Sequence, residues 1–321
     1  MKILGISCGR KMGNSEILVK EALMGAEEMG AEVELVRLHD LNLKPCTGCN
    51  ACVISLFEKG GPGECIIKDD DLKFIDEKIM ECDGIIISSP IYEKSPSGQL
   101  KVLNDRMGPS HDVAMRMIAT KIRAEKNITT GKAPDARSFK RRVASLIAVG
   151  GSEWDNLALP MMHLFTLSMQ MEVVDKHLVN WVALPGVVAL KDEELKRARI
   201  SGRHVAETLM KPVEDSKYIG DEGLCPMCHS KLIEVRNGED NYPAICGICG
   251  VKGTLNVVNG KVKFDVKEED KVHSHVLLSG KFEHCDELNK ISLRPEANMN
   301  ELPVTLEKYR NYLTYSKPEA K

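Results

Sequence analysis

Two groups of cysteines in this chain have the spacing of metal ligands. The first group is Cys46, Cys49, Cys52 and Cys65, a Cx2Cx2C run followed after twelve residues by a fourth thiol. Three thiols at this spacing can bind three corners of an iron–sulfur cubane, with a fourth thiolate arriving from elsewhere. Zinc more often takes two separate Cx2C knuckles. The run therefore favours a [4Fe–4S] cluster, and thiols that only pack or act as redox groups are the alternative.

The segment that separates Cys52 from Cys65 decides whether these four thiols can meet. It contains SLFEKGGPG, and Gly60, Gly61, Pro62 and Gly63 predict a loop that folds back. A loop that folds back brings Cys65 to the other three thiols, whereas an extended path leaves them apart.

The second group combines two Cx2C knuckles separated by seventeen residues, Cys225 and Cys228 followed by Cys246 and Cys249. Two such knuckles can close a tetrahedral shell around zinc. Rubredoxin-type iron uses the same geometry and remains open, because ligand type alone does not separate the two metals. The downstream NVVNGKVKF, with an Asn-Gly turn, predicts a β-hairpin, so the unit resembles a zinc ribbon.

A glycine-containing loop near the N-terminus has the residue types of a phosphate site. Its sequence is SCGRKMGNS, and it lies between a predicted strand and a predicted helix, where N–H groups and the helix dipole favour an anion. It fits neither GxGxxG nor GxxxxGK[ST], which disfavours the standard dinucleotide and P-loop sites. The candidate ligands in this loop are Ser7, Arg10, Gly13, Asn14 and Ser15.

Two later segments could hold a flat, partly apolar ring. Each follows a predicted strand, and each combines glycine or proline with aromatic or hydroxyl side chains. The candidates in the first segment are Pro90, Ile91, Tyr92, Ser95 and Gly98. The candidates in the second are Gly150, Gly151 and Trp154.

The elements that must position these residues alternate between strands and helices. Apolar strands at 84–88 and 143–149 predict a parallel sheet covered on both faces, in an α/β, doubly wound, five-stranded, flavodoxin-like fold. The composition changes after Pro212. We therefore expect a flavin-binding domain over 1–212, a linker over 213–223, a four-cysteine unit over 224–268 and a tail over 269–321.

The composition excludes several classes of protein. A chain of 321 residues, 43% hydrophobic and with a net charge of −3, can bury a full core and has no overall basic character. We therefore expect neither nucleic acid nor membrane as a partner. The N-terminus has no signal-peptide pattern, which predicts a cytoplasmic protein. In a reduced cytoplasm, cysteines that cluster at short spacings, as most of the eleven do, predict metal binding.

One segment and two histidines allow both functional and structural interpretations. Residues 116–142 contain nine Lys or Arg and two acids, as a lid for anionic substrates or a solvated surface would. His163, on an apolar helix, is expected to be a core residue, and His111 is a weak candidate proton donor.

The segments SxxRxxGNS and SSPIYxxxxSGQLKxxxDR together resemble the NADPH-dependent FMN reductases of the flavodoxin-like superfamily. With PCxGCxxC and the later GxCxxxDD, the chain resembles their iron–sulfur flavoprotein branch, known from anaerobic archaea and bacteria. The resemblance covers residues 1 to about 210. It implies FMN, with its phosphate at Ser7–Ser15 and its ring against Pro90–Tyr92 and Gly150–Gly151. It also implies a homodimer or homotetramer.

The function that follows is an FMN-dependent oxidoreductase passing electrons between NAD(P)H or a ferredoxin-like carrier and a small-molecule or protein acceptor. Two alternatives stay open at this point. One is a cluster-free NAD(P)H-dependent flavin or quinone reductase, and the other is a non-enzymatic redox sensor or scaffold. No catalytic acid or base stands out in the sequence.

Overall fold

The computed structural model describes residues 1–236, 242–292, 299–310 and 312–316. The chain forms a large unit, Met1–Phe282, and a small one, Glu283–Lys321. Among the described residues, no helix combines the length and the apolar character that crossing a bilayer requires.

A central sheet of five parallel strands organises the large unit, with a two-residue antiparallel strand beside the end of the third. The strands are β1 (Lys2–Ser7), β2 (Glu32–Arg37), β3 (Gly84–Tyr92), β4 (Ser95–Pro96), β5 (Val143–Val149) and β6 (Glu172–Val179). The parallel strands follow the order β2-β1-β3-β5-β6. This is the predicted flavodoxin-like order.

Burial along the strands explains their composition. Every residue of β5 is buried, as is the first part of β3, because helices cover both faces of the inner strands. The edge strand β2 alternates between exposed and partly buried side chains. The near-continuous apolar runs that predicted inner strands are therefore confirmed.

Nine α-helices are described. They are α1 (Asn14–Glu28), α2 (Ala51–Lys59), α3 (Leu72–Glu81), α4 (Gly98–His111), α5 (Val113–Glu125), α6 (Ala158–Leu167), α7 (Asp192–Leu209), α8 (Leu278–Ser292) and α9 (Leu302–Arg310). Helices α3, α4 and α6 contribute to the core on one face of the sheet, and α1 and α7 to the core on the other. Glycine lets α1 and α7 approach closely, because a Cβ on Gly202 would lie 1.7 Å from the carbonyl oxygen of Ala22.

The four-cysteine unit contains an antiparallel sheet and packs on the large unit's helix α6. Its strands are β7 (Ile233–Val235), β8 (Ala244–Cys246), β9 (Lys252–Val258) and β10 (Lys261–Asp265). Asn259 and Gly260, at φ 52° and 73°, join β9 to β10 in a tight turn, as the Asn-Gly signal predicted. Leu164 and Leu167 of α6 lie against its buried cysteines.

Candidate functional site

The carboxyl ends of β1, β3, β5 and β6 meet at one edge of the sheet, and the loops that follow them enclose a cleft of about 250 Å³. Ligands of doubly wound sheets bind at this edge. The residues that line the cleft are Gly9, Arg10, Gly13, Asn14, Ser15, Pro90, Ile91, Tyr92, Val149, Gly150, Gly151, Val182, Ala183 and Pro185.

The N-terminus of α1 forms one end of the cleft and suits a phosphate. Helix α1 begins at Asn14 without a side-chain cap, so the N–H groups of its first turn have no partner one turn earlier in the helix. A Cβ on Gly9 would lie 3.2 Å from Cβ of Ser15 and 3.7 Å from Cδ of Pro90. Glycine therefore keeps open the space that a phosphate would fill, and the exposed Arg10 adds positive charge beside it.

Asn14 lines the cleft but directs its amide to the protein. Its Nδ2 donates to the carbonyl oxygens of Val182 and Leu184, at 2.8 and 2.9 Å, and its Oδ1 accepts from the N–H of Val188 at 3.1 Å. The predicted phosphate donor thus connects α1 to the loop after β6. That loop supplies the opposite wall of the cleft, so Asn14 shapes the site through the wall.

The cleft also contains five residues from the two segments in which the sequence predicted contacts with a flat ring. Pro90, Ile91 and Tyr92 line it from the end of β3, and Val149, Gly150 and Gly151 line it from the end of β5. The backbone is strained beside it, since Glu93 and Lys94 have φ of 47° and 68°. Such strain is typical of functional sites.

Four predicted cofactor ligands lie outside the cleft lining. Ser7 is fully buried, with its Oγ 3.4 Å from the N–H of Gly9. Ser95 Oγ donates to the carbonyl of Glu93 at 3.3 Å. Gly98 is the first residue of α4, and Trp154 is 63% exposed with Nζ of Lys94 5.1 Å from its ring centroid.

Sequence reasoning missed the wall formed by Val182, Ala183 and Pro185. The signal was present, because these residues follow β6, whose carboxyl end must reach the same edge. Cys8, Cys82 and Cys285 lack partners at ligand spacing in the sequence, which predicts buried thiols, and all three are buried. Burial raises the pKa of Cys8 to about 12.

The four-cysteine unit gathers its sulfur atoms as the two knuckles predicted. The sulfurs of Cys225, Cys228, Cys246 and Cys249 all lie within 4.8 Å of one another, and all four residues are buried. The Cys225–Cys249 and Cys228–Cys246 pairs are 3.6 and 3.4 Å apart. A zinc–sulfur bond of about 2.3 Å in a tetrahedron requires sulfur separations of about 3.8 Å, so the four residues fit one metal ion.

The cysteine loop, residues 46–65, folds back as its glycines predicted. Helix α2 takes up its middle, and the N–H groups of Gly61 and Gly63 then donate to the carbonyl and the Oγ of Ser55, at 2.7 and 3.2 Å. Burial is the largest cause that raises the pKa of Cys52, and the thiols of Cys65 and Cys46 raise it further.

The thiols of the cysteine loop differ in exposure. Cys46 and Cys49 are exposed, whereas Cys52 and Cys65 are partly buried. The backbone N–H of Ala51, followed by the hydroxyl of Thr47, lowers the pKa of Cys49. Within the described parts of the chain, these sulfurs do not form a group close enough for a single ion. In a cubane each thiolate binds a different iron. Sulfurs that are too far apart for a single ion can therefore still bind a cluster.

A buried ion pair closes the base of the cysteine loop. The Arg106 and Asp70 side chains are 0% and 1% exposed, and Nη1 of Arg106 donates to Oδ2 of Asp70 at 2.5 Å. The same Nη1 donates to the carbonyl oxygen of Lys44 at 2.6 Å, and Asp70 accepts the N–H groups of Lys44 and Leu72. The pair thus joins both ends of the loop to α4, and spacing alone did not predict it.

Two arginines of the basic segment 116–142 are buried, which neither a lid nor a solvated surface predicts. Arg142 is buried, and its guanidinium donates to the carbonyls of Ile79 and Met80 at the end of α3. Arg116 is also buried and donates to the carbonyl of Ser110. These cations serve the interior of the fold instead of presenting charge to a substrate.

Both histidines named from the sequence are buried. His163 is 3% exposed, as a core histidine should be, and burial lowers its pKa well below the usual value. Nε2 of His111 lies 2.7 Å from Oδ1 of Asp76. His111 is absent from the cleft lining, so its geometry offers no support for a role as proton donor.

Comparison with known sequences identifies relatives of two kinds. Residues 1–183 match the family model described as NADPH-dependent FMN reductase. Flavone synthase cfoJ of Aspergillus candidus is 31% identical over 308 residues, which cover 90% of this chain and 89% of that protein. An iron-sulfur flavoprotein of Methanocaldococcus jannaschii is 44% identical over 110 residues, which are 34% of this chain and 53% of that protein.

Among solved structures, a protein described as flavone reductase is similar along its whole length. It is 34% identical, the TM-score is 0.84, and the match covers 99% of this chain and all of the other. The likeness therefore includes the four-cysteine unit as well as the flavodoxin-like part.

Proposed function

Because this chain belongs to the NADPH-dependent FMN reductase family and is an FMN-dependent oxidoreductase, we propose that it uses NAD(P)H to reduce a flat, conjugated ketone of the flavone type. The observation that carries the proposal is the cleft, in which the uncapped N-terminus of α1 and residues 90–92 and 149–151 meet at one sheet edge. The full-length likeness to a flavone synthase and a flavone reductase supports the substrate class.

The chain's own residues would bind and orient the cofactor and the substrate. When bound, FMN supplies hydride transfer. The first turn of α1 and Arg10 would hold its phosphate, and the Gly150–Gly151 backbone would let its ring approach the end of β5. Tyr92 lines the cleft while remaining 51% exposed, so it could contact an aromatic substrate stacked on the ring.

The test is anaerobic purification, FMN quantification and measurement of NAD(P)H oxidation with and without flavone. We expect one FMN per chain and oxidation that depends on flavone. Gly9→Ala should weaken FMN binding about tenfold, which is 1.4 kcal/mol, because its Cβ crowds Ser15 in the phosphate cradle. Gly108→Ala is the matched control, since its Cβ would have no neighbour nearer than 4.0 Å. Bound FMN with no turnover of flavone would overturn the substrate class alone.

We further propose that the cysteine loop binds a [4Fe–4S] cluster through Cys46, Cys49, Cys52 and Cys65, which would let the protein exchange single electrons with a ferredoxin-like carrier. The loop that folds back between Cys52 and Cys65 supports it. Cys49→Ala should remove iron and leave FMN bound. A chain without iron or labile sulfide after anaerobic reconstitution would refute the cluster and favour the cluster-free reductase.

For the four-cysteine unit we propose zinc as the metal. Four buried thiols at single-ion spacing support a closed structural site, and metal analysis of the purified chain separates zinc from iron. The domain boundary near Pro212 and a homodimer or homotetramer also remain proposals. Limited proteolysis tests the boundary, and light scattering tests the oligomer.

A further inference from the structure

Strand β6 carries three consecutive buried polar residues in its middle: Asp175, Lys176 and His177. Alternation along a strand sends the first and third to one face and the second to the other. Asp175 pairs with Arg197, and Nε2 of His177 lies 3.0 Å from Oε2 of Glu194, so both meet α7. Lys176 therefore points to the opposite face.

On that face, Lys176 contacts the four-cysteine unit. Its Nζ donates to the carbonyl oxygen of Cys228 at 2.5 Å, and the residue is 3% exposed. The first knuckle is well ordered at this point, since the N–H groups of Leu224 and Cys225 both donate to the carbonyl oxygen of Ser230 at 3.0 Å.

Strand β6 lies at the edge of the sheet, so other parts of the chain must hold its open side. The linker runs along its open side, where Ile219 and Asp221 donate N–H groups to the carbonyls of Val174 and Lys176, at 2.9 and 3.0 Å. The same strand continues into the wall of the cleft at Val182 and Ala183.

Charge gives Lys176 a reason to be buried here. A divalent ion with four thiolates carries a net charge of −2, and a buried ammonium carries +1. Each is costly to bury alone, but each lowers the cost of burying the other when they lie together. A buried lysine facing an apolar surface would have no such compensation.

We propose that Lys176 is the counter-cation of the metal centre and that it couples metal binding to the edge strand of the flavin sheet. This inference rests on the proposed metal site. The residue is a positioning residue, since it contacts a ligand's backbone and not the metal.

The test compares metal affinity among three variants of the full chain by chelator competition with Zn²⁺. Lys176→Gln keeps a hydrogen-bond donor for the Cys228 carbonyl but removes the charge. Lys176→Arg keeps the charge. Lys231→Gln, on the exposed side of the same knuckle, is the matched control. We expect Lys176→Gln to weaken Zn²⁺ binding about 10- to 100-fold, as loss of an outer-shell partner does, and the other two variants to stay near wild type.

The absorption spectrum of the cobalt-substituted protein tests the charge of Lys176 directly. It should not change if Lys176 only supports the fold. Removing a cation beside the thiolates raises the energy of the sulfur electrons, so the sulfur-to-cobalt charge-transfer bands of Lys176→Gln should move to longer wavelength. Lys176→Arg should keep the wild-type bands. If Lys176→Gln fails to fold, the side-chain ¹⁵N signal of Lys176 in the zinc-loaded wild-type chain decides, and it should be that of a protected ammonium.

Three results would overturn the inference. Equal Zn²⁺ affinity and equal cobalt bands in Lys176→Gln and Lys231→Gln would show that the charge is irrelevant while the metal site stands. A neutral amine signal at Lys176 would likewise show that no charge on this side chain balances the metal centre, while the metal site stands. A wild-type chain that binds no metal at the four cysteines would remove both the site and its counter-cation.

Discussion

The buried pair Asp70–Arg106 should control the stability of the cysteine loop. In Asp70→Asn the carboxylate charge is lost while the shape is kept, so the guanidinium of Arg106 stays buried without its counter-ion. Asp70 also holds the N–H groups of Lys44, at 3.0 Å, and Leu72, at 3.2 Å. Asparagine has only one amide oxygen, so at least one of these two N–H groups loses its acceptor.

The expected size of the effect follows from the burial of both partners. The two side chains are 0% and 1% exposed, so solvent does not screen the remaining charge. Breaking a buried pair by removing one partner costs about 3–5 kcal/mol. The neighbouring variant Asp69→Asn is the matched control, because Asp69 pairs with Lys44 at the surface, where its side chain is 76% exposed. The free energy of unfolding of Asp69→Asn should be close to that of the wild type.

Urea unfolding of the three proteins, followed by circular dichroism at pH 7, measures the difference. Hydrogen exchange then localises it, and residues 44–70 should lose protection in Asp70→Asn. Similar unfolding free energies for Asp70→Asn and Asp69→Asn would refute the reasoning, as would a loss of protection spread evenly over the sheet.

The pH dependence gives an independent check of the same pair. Burial raises the pKa of Asp70, but the hydrogen bond from Arg106, assisted by those from the backbone, lowers it overall. A carboxyl group with a lowered pKa in the folded state stabilises fully above its unfolded pKa of about 3.9, and this stabilisation is lost as the pH falls through the folded value. Asp70→Asn should lack this part of the acid destabilisation.

Three further outcomes are expected. Gly202→Ala should leave little folded protein, because its Cβ would lie 1.7 Å from the carbonyl oxygen of Ala22. Gly108→Ala should equal the wild type in stability or exceed it by up to about 1 kcal/mol. Urea unfolding compares the two variants. In iron-free protein, iodoacetamide at neutral pH should modify the exposed Cys49 before the buried Cys8, whose pKa is about 12, and peptide mass spectrometry would detect any reversal of that order. A strong zinc chelator should make the four-cysteine unit protease-sensitive, and an unchanged digestion pattern would contradict a metal-dependent structural site.

The sequence by itself determined those features that depend on short spacings. Hydrophobic runs predicted the inner strands, Asn259-Gly260 predicted a hairpin, and two Cx2C knuckles predicted four gathered sulfurs. The rule that strand ends share one edge placed residues 90–92 and 150–151 in one cleft. In each case, neighbouring residues or a general rule of topology define the geometry.

Tertiary structure decided which partner each polar group meets. The sequence contained Asp70 and Arg106 in separate motifs, but only the packing of α4 against the cysteine loop pairs them. Likewise, Asn14 was predicted to meet a phosphate, and only the fold shows that its side-chain amide donates to the loop after β6. Lys176 has no special position in the sequence, and only the fold brings its Nζ to the carbonyl oxygen of Cys228. Such pairs are distant in the chain, so no local spacing specifies them, and burial makes their partners obligatory only once the chain has folded.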